Sequence, residues 1–368
     1  MLKVVFLPQV ECYPENPYWK LLQSNLEQKG VEFVSTEDKL YLQWRWLVRN
    51  QGQVDVIHLH HLRHHYSVNE RYASAKLLRK FIAKLLLARG LGYRIVWTVH
   101  NLYPHEKLEP QRVGRLAHKA VAQLANAIIV HCEYAREALS REFYRRRNVF
   151  TIAHPNYIGV YPNSISRQEA RVQLGLAPDQ RVLLFLGAIR PYKGLERLVE
   201  AFRRIPGDEL RLVIAGKPWY TMPPGELEAM AQSDQRIILE PRFIPDLDLQ
   251  RYYKAADVVV LPYTGVLSSG ATLLSMSFGC PVIAPAIGCL SEVITSETGR
   301  LYDPTDPQGV YKALLHTLSL DLETLGQNAY KRAAQLTWAD VVSKTLQVYG
   351  AEQDVEKHIP SPVQDMMH

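Results

Sequence analysis

The amino-acid sequence predicts an α/β protein made of two Rossmann-like, doubly wound parallel-sheet domains in tandem. Three observations lead there. Short apolar runs rich in β-branched residues alternate with longer amphipathic stretches, the rhythm of a parallel sheet covered by helices on both faces. That rhythm runs twice, on either side of a less regular segment at 156–180 that holds YIGVYPNS. The chain has 368 residues, enough for two sizeable cores.

The first series opens with the strand LKVVFLP. Residues 18–29, YWKLLQSNLEQK, have helical spacing and stop at Gly30. Strands follow at VEFVS and VDVIHLH, then a helix from about 69 to 89 and a strand at 94–100, RIVWTVH. A helix over 112–125, the strand NAIIVHC at 126–132, the helix EYAREALSREF and the strand VFTIAHP at 149–155 complete the series. A short helix at about 167–174 lies in the connection. The second series has strands at 181–189, 209–216, 236–243, 257–263 and 281–285. Its helices are expected at 194–204, PGELEAMAQ, DLDLQRYYKAA, 307–319 and 322–335, with a last one over 338–350 that starts at TWAD. The expected division is a first domain at 1–160 and a second at 161–336. A C-terminal helix at 337–352 crosses back to the first domain, and a polar, Pro-containing tail at 353–368 is expected to be disordered.

Composition excludes several classes. With 47% hydrophobic and 22% charged residues, the chain reads as an ordinary soluble globular protein. A formal net charge of +6 favours phosphorylated ligands, an anionic membrane surface or nucleic acid without choosing among them. No RNA-binding signature or basic repeat is present, so a nucleic-acid partner is not expected. The four cysteines form no CxxC pair and read as free thiols of a reducing cytoplasm. MLKVVFLPQV is too short an apolar run for a signal peptide, and no window reaches 18 uninterrupted apolar residues. The expected location is cytoplasmic, with peripheral contact at the inner face of the cytoplasmic membrane left open.

In doubly wound sheets ligands bind beyond the carboxyl ends of the strands, so the residues just after strands carry the functional information. In LFLGAIRPYKG, a strand ends at Gly187, and Arg190 and Lys193 follow before Gly194 opens a helix. A planar guanidinium and a mobile ammonium in one such loop make a diphosphate clamp, where a solvated basic turn is the plainer alternative. In TGVLSSGATLL the strand DVVVLPY leads through Ser268, Ser269 and Gly270 into a helix. Unpaired N–H groups and the helix dipole favour an anion at such a mouth, small residues let a phosphate approach, and Ser268, Ser269 and Thr272 add hydroxyls. The plainer alternative is a Ser N-cap. In RIVWTVHNLYPHE, His100 ends a first-domain strand, with Asn101 and Glu106 after it. His100 can hydrogen-bond a sugar, act as a base or be structural.

The run VDVIHLHHLRHHYS holds five histidines, His58 to His65. Alternation places His58 and His60 on one strand face and His61 on the other, and no Cys or carboxylate in the run completes a metal shell. It reads as a polar loop leaving a strand, with His60 on the acceptor side. KLYLQWRWLVRNQ and the helix around AKLLRKFIAKLLLARG interleave basic with apolar residues. They suit an anionic bilayer surface or a lipid-linked acceptor, and a core helix with a solvated basic face explains the second equally well.

The segments GAIRPYKGLERLVEAF, LRLVIAGKP, RFIPDLDLQRYYKAADVVVLPY, SSGATLLSMSFGCPVIAP and GCLSEVITSETGRLYDP occur in an order and spacing that identify a family. To about residue 350 the chain resembles a GT-B glycosyltransferase of the large group 1 family (carbohydrate-active family 4). The resemblance implies two Rossmann-like domains facing a central cleft, with the nucleotide of a donor sugar bound by the second domain. Arg190 and Lys193 would hold the diphosphate, with the Ser269–Gly270 mouth on its other side. Arg242, Phe243 and Ile244 would lie near the base, and Gly216 and Lys217 along the same cleft. His100 matches a histidine that faces the donor sugar, and Glu292 lies in a loop bordering phosphates or sugar. Two departures are visible. Ala188 stands where the family has an Arg after the first glycine, and Val266 and Leu274 stand where it has a Glu-x7-Glu pair. Some β-mannosyltransferases of the same fold share the Ser-Ser-Gly segment, so the stereochemical outcome stays open between retention and inversion.

The implied reaction moves a sugar from a UDP- or GDP-sugar to a hydroxyl acceptor, saccharide or lipid-linked. Positive charge at the departing diphosphate is the natural protein contribution, and Arg190, Lys193 and the helix mouth supply it with no cofactor or metal. With retention the leaving phosphate can take the acceptor's proton; with inversion His100 or Glu106 is the candidate base. The alternatives are a non-catalytic nucleotide or nucleic-acid binding module and a GT-B sugar epimerase.

Overall fold

A computed structural model describes residues 1–13, 16–68, 72–103, 110–219, 225–232 and 234–350. Glu106 and the tail beyond 350 lie outside the described residues. The chain divides into two compact units, one formed by Met1–Ala153 with Trp338–His368 and the other by His154–Thr337.

Unit 1 is built on six parallel strands: β1 (Lys3–Leu7), β2 (Glu32–Phe33), β3 (Val56–Leu59), β6 (Arg94–Thr98), β7 (Ala127–Val130) and β8 (Val149–Thr151). A separate antiparallel hairpin, β4 (Ser67–Val68) with β5 (Tyr72–Ala73), lies between β3 and β6 in the chain. The sheet order is β2-β1-β3-β6-β7-β8. The chain therefore reverses direction across the sheet between β1 and β3, the place where a doubly wound sheet opens a crevice. One face of the sheet buries Val4, Phe6, Val56 and Val96 against Trp19, Leu22 and Leu26 of the helix Pro17–Glu27. Asn16 starts that helix by accepting from Tyr18 N at 3.1 Å, with Pro17 in its first turn.

The last helix, Trp338–Tyr349, packs in the same core through Val341, Val342, Val348 and Tyr349. Two side chains of the sheet fix it. Arg94 Nε donates to Val348 O at 2.8 Å, and His58 Nδ1 is 2.6 Å from the Tyr349 hydroxyl. Burial pushes His58 down to about 3, so it is neutral when it makes these contacts.

Unit 2 carries β9 (Arg181–Leu186), β10 (Leu210–Ala215), β11 (Ile237–Glu240), β12 (Val258–Val260), β13 (Val282–Pro285) and β14 (Gly299–Tyr302). All are parallel, in the order β11-β10-β9-β12-β13-β14, with Leu183 opposite Val258 and Leu184 opposite Val259 where the direction reverses. Leu184, Leu186 and Val213 face one core and Leu183, Phe185 and Leu212 the other, so both faces of the sheet are covered. Arg171 is 3% exposed and donates to Asp257 Oδ2 at 2.9 Å, while Asp257 also accepts from Val182 N at 2.7 Å. This pair ties the helix Arg167–Gln173 to the starts of β9 and β12.

The structure adds elements that apolar periodicity does not show. Ser67–Val68 and Tyr72–Ala73 form the hairpin, and Ser74 caps the following helix by accepting from Leu77 N, so the helix runs Ala75–Gly90 and not from 69. Trp44–Arg49 is a short helix, and the edge strand β14 is formed by the mixed sequence GRLY. The thiols of Cys12 and Cys280 are free. The expectation of free thiols is met at these two positions. Among the described residues no helix is long and apolar enough to cross a membrane.

Asp257→Ala leaves the buried Arg171 without its carboxylate. It is expected to lower the unfolding free energy by about 3 kcal/mol, read as a shifted midpoint in urea denaturation.

Candidate functional site

The two stretches of unit 2 expected from the sequence to bind an anion follow β9 and β12, the two neighbouring strands at its reversal point. After β9 the ladder with the β10 segment continues. Gly187 N donates to Ala215 O at 3.0 Å, Ile189 N to Lys217 O at 2.9 Å and Trp219 N to Ile189 O at 2.9 Å. The two chains run so close that a Cβ at Gly216 would lie 2.0 Å from Gly187 O, and both glycines have positive φ. This extension lays the Arg190 guanidinium on the face of Trp219, Cζ 3.7 Å from the ring centroid. Lys217 is exposed beside it.

Pro191–Lys193 forms a turn of 3-10 helix that ends at Gly194 with φ 66°. A Cβ at Gly194 would lie 2.2 Å from Pro262 O, so only glycine lets this loop rest against the end of the β12 segment. Thr264 N donates to Tyr192 O at 2.8 Å and fastens the two loops together. Lys193 folds back over Gly187, where a Cβ would be 3.3 Å from its Nζ, and holds Nζ 5.2 Å from the centre of the Tyr263 ring. Burial pushes the Lys193 ammonium below the usual lysine range; the Tyr192 phenol opposes this and the Arg190 charge adds to it.

Tyr263 joins the two stretches. Its ring meets Lys193, and its hydroxyl is 3.3 Å from Ser269 Oγ. Ser269 is the N-cap of the helix Gly270–Ser277 and accepts from Thr272 N at 3.3 Å. Ser268 is half-buried just before it. Thr272 is fully buried in the first turn, and its Oγ1 has no hydrogen-bond partner among the described residues. A Cβ at Gly270 would lie 3.2 Å from the Tyr157 hydroxyl and 3.7 Å from His154 Nε2. His154 Nδ1–H donates to Pro155 O at 2.9 Å, and its Nε2 lies at this mouth.

The loop before Glu292 is pressed against the same stretch. A Cβ at Gly288 would lie 2.5 Å from both Val266 O and Leu267 O, and Cys289 N donates to Leu267 O at 2.7 Å. Glu292 itself is exposed in a short helix, Leu290–Val293. Val266 and Leu274 pack against the apolar core of unit 2. The remaining expected base-binding residues divide. Arg242 is paired with Glu240 at 2.9 Å and Phe243 is half exposed, whereas the Ile244 side chain is in the core.

Unit 1 has its own polar cluster at the carboxyl ends of its strands. His60 follows β3, His100 follows β6 and His131 follows β7. His60 Nδ1 is 3.2 Å from His100 Nε2, and Trp19 Nε1 donates to that same nitrogen at 3.4 Å. Tyr18 and His131 meet His100 edge-on and tilted, with ring centroids 5.4 and 5.5 Å away. Asn101 is half-buried next to it. Of the residues involved, sequence reading did not single out Tyr263, Trp219, Tyr157, His154, Trp19 and Tyr18. Aromatic residues near strand ends were the available signal. Among the described residues no group of three His, Cys, Asp or Glu side chains is arranged to hold a metal ion.

The chain is similar to known proteins in sequence and in fold. Residues 180–319, which span both loops and the Glu292 segment, match the family described as glycosyl transferases group 1. A D-inositol 3-phosphate glycosyltransferase of Corynebacterium glutamicum is 27% identical over 268 residues, covering 68% of this chain and 63% of its own length. A GDP-mannose:glycolipid 4-beta-D-mannosyltransferase of Xanthomonas campestris is 30% identical over 238 residues, covering 64% of this chain and 62% of its own length. The chain thus spans less than two thirds of the length of these curated relatives. Among solved structures, sucrose-phosphate synthase from Thermosynechococcus elongatus superimposes with a TM-score of 0.73 at 20% identity, over 96% of this chain and 100% of that one. The Anabaena protein HepE in complex with UDP also gives 0.73, at 16% identity, over 95% of this chain and 100% of that one. The fold is GT-B, with two Rossmann-like units.

Tyr263→Phe keeps the ring under Lys193 and removes the bond to Ser269, an expected loss of about 1 kcal/mol in thermal unfolding. NMR titration of the isotopically labelled lysine should place Lys193 below an ordinary lysine in the wild type, and closer to ordinary in Tyr263→Ala, where the site opens to water.

Proposed function

We propose that the chain is a glycosyltransferase that moves a sugar from a UDP- or GDP-linked donor to a hydroxyl acceptor. The donor diphosphate binds in unit 2, between the Arg190–Lys193 loop and the mouth of the helix Gly270–Ser277. The observation that carries this reading is Tyr263, which holds a half-buried cation against its ring and a helix N-cap at its hydroxyl. A diphosphate is the ligand whose charge and two-centre shape suit such a pair. The group 1 match over 180–319 and the solved likeness to a protein holding UDP support it.

In the reaction the anomeric carbon exchanges its bond to a diphosphate oxygen for one to the acceptor oxygen. The acceptor's proton ends on the released diphosphate or on a base. The barrier lies in negative charge gathering on the leaving group, and prearranged positive charge lowers it. Lys193 and Arg190 supply that charge from the protein itself, so transfer needs no divalent ion. Val266 and Leu274 put no carboxylate beside the sugar or ribose. The backbone of Ser269–Gly270, with His154 and Tyr157, takes over contacts to the donor there, and His100 hydrogen-bonds a substrate hydroxyl at the strand ends of unit 1. The helix Ala75–Gly90 turns Lys76, Arg79, Lys80 and Arg89 outward, and Trp44 and Val48 are exposed. These suit a lipid-linked acceptor reached from a cytoplasmic, anionic bilayer surface, and the Xanthomonas relative is named for a glycolipid acceptor.

Thermal-shift screening against UDP-, GDP- and ADP-sugars should raise the melting temperature with one base class. Lys193→Ala and Arg190→Ala are each expected to lower kcat by roughly 10²–10³-fold with the fold retained, and near-normal rates in both would remove the clamp. EDTA should leave the wild-type rate unchanged. Because the lysine is charged only below its depressed pKa, nucleotide affinity should fall as pH rises through that range, with proton uptake on binding detected by calorimetry in two buffers. Gly270→Val directs a side chain at Tyr157 and should abolish nucleotide binding in the same assay.

A further inference from the structure

His60 is buried at the reversal point of the unit 1 sheet, at the carboxyl end of β3. Its ring is held on several sides. Phe6 meets it edge-on at 4.7 Å between centroids, His58 stacks at 4.2 Å and His100 at 5.4 Å. His100 Nε2 faces two neighbours, Trp19 Nε1 at 3.4 Å and His60 Nδ1 at 3.2 Å.

An indole nitrogen can only donate a hydrogen bond. His100 Nε2 therefore presents its lone pair, and the proton of the neutral His100 ring is on Nδ1. Two lone pairs cannot make a hydrogen bond, so His60 Nδ1 is also a donor. The His60 lone pair then lies on Nε2, which is buried and has no hydrogen-bond partner among the described residues. Burial, and after it the neighbouring His58, His100, His61 and His131, hold His60 far below the usual histidine range. The ring thus has one proton, and the geometry places it toward His100.

We infer that His60 is a positioning residue whose Nδ1–H, together with the Trp19 indole, pins His100 in the Nδ1–H tautomer, so that His100 meets the substrate as a hydrogen-bond donor and not as a base through Nε2. Its substrate is that of the transferase reading, on which this part of the inference rests; the tautomer itself does not depend on it. The acceptor's proton must then leave by a route other than His100 Nε2. Among the described residues that meet His100 are Tyr18, Trp19, His60, His61 and His131.

The test is a long-range proton–nitrogen NMR correlation on the full chain, labelled at histidine, at neutral pH and without substrate. The His100 signals are assigned by their loss in His100→Ala. The expected pattern is that of an Nδ1-protonated ring, and an Nε2-protonated His100 overturns the proposal. This wild-type spectrum decides without any variant having to fold. In His60→Leu/Trp19→Phe, His100 should relax toward the Nε2–H form, with kcat lowered roughly 10²-fold and the donor KM little changed. His60→Asn, whose amide nitrogen can occupy the place of Nδ1, should restore the Nδ1–H pattern and most of kcat. Wild-type tautomer and kcat in the double variant would also overturn the proposal. An inactive wild type with the expected spectrum would instead sink the transferase reading alone.

Discussion

The contact of Tyr263 with Lys193 on its ring and Ser269 at its hydroxyl is the interaction on which the strand-end loops of unit 2 depend. A lysine ammonium held partly out of water is costly unless something replaces its hydration. Here an aromatic face stands on one side of the ammonium, and burial lowers the lysine pKa. An anion that completes the hydration of Lys193 and the open N–H groups of the Gly270–Ser277 helix relieves both at once. The glycines around it serve the same end. Gly187 with Gly216, Gly194 beside Pro262 and Gly288 beside Val266 and Leu267 bring three loops into contact at distances a Cβ would forbid. Their strictness fixes where the cation and the helix mouth can be.

Unit 1 solves a different problem with different chemistry. Its strands end in imidazoles and indoles rather than in cations, and its crevice is lined by groups that are neutral when buried. Such a surface can hydrogen-bond hydroxyl groups and stack on the apolar faces of sugar rings without attracting phosphate. The strand ends of unit 2 thus carry charge, and those of unit 1 carry neutral hydrogen-bonding groups.

Much of this was legible in the sequence. Two doubly wound units, the Arg190–Lys193 loop and the Ser269–Gly270 helix mouth all follow from patterns local to a few residues. The strand alternation even put His58 and His60 on one face, where their rings stack. What escaped reading is what depends on register between distant segments. Trp19 and His100 are 81 positions apart, and only the order of strands brings them together. Tyr263 looked like the last residue of an apolar strand, and nothing in LPYTG says that its ring receives a lysine 70 positions earlier. The edge strand GRLY was missed because it alternates too weakly to stand out. Ile244 sits in a motif associated with base recognition, yet its side chain serves the core, since a motif marks a backbone position and not the direction of a side chain.

The helix Trp338–Tyr349 has a consequence for how the chain is made. It supplies Val341, Val342, Val348 and Tyr349 to a core whose other members come from before residue 154. All of unit 2 lies between these two contributions. On a ribosome the first 153 residues emerge early but lack the helix that closes their core, whereas unit 2 has its whole sequence before that helix is translated. The second unit in sequence is thus the first that can finish folding. The first must wait with one sheet face only partly covered until the helix Trp338–Tyr349 arrives.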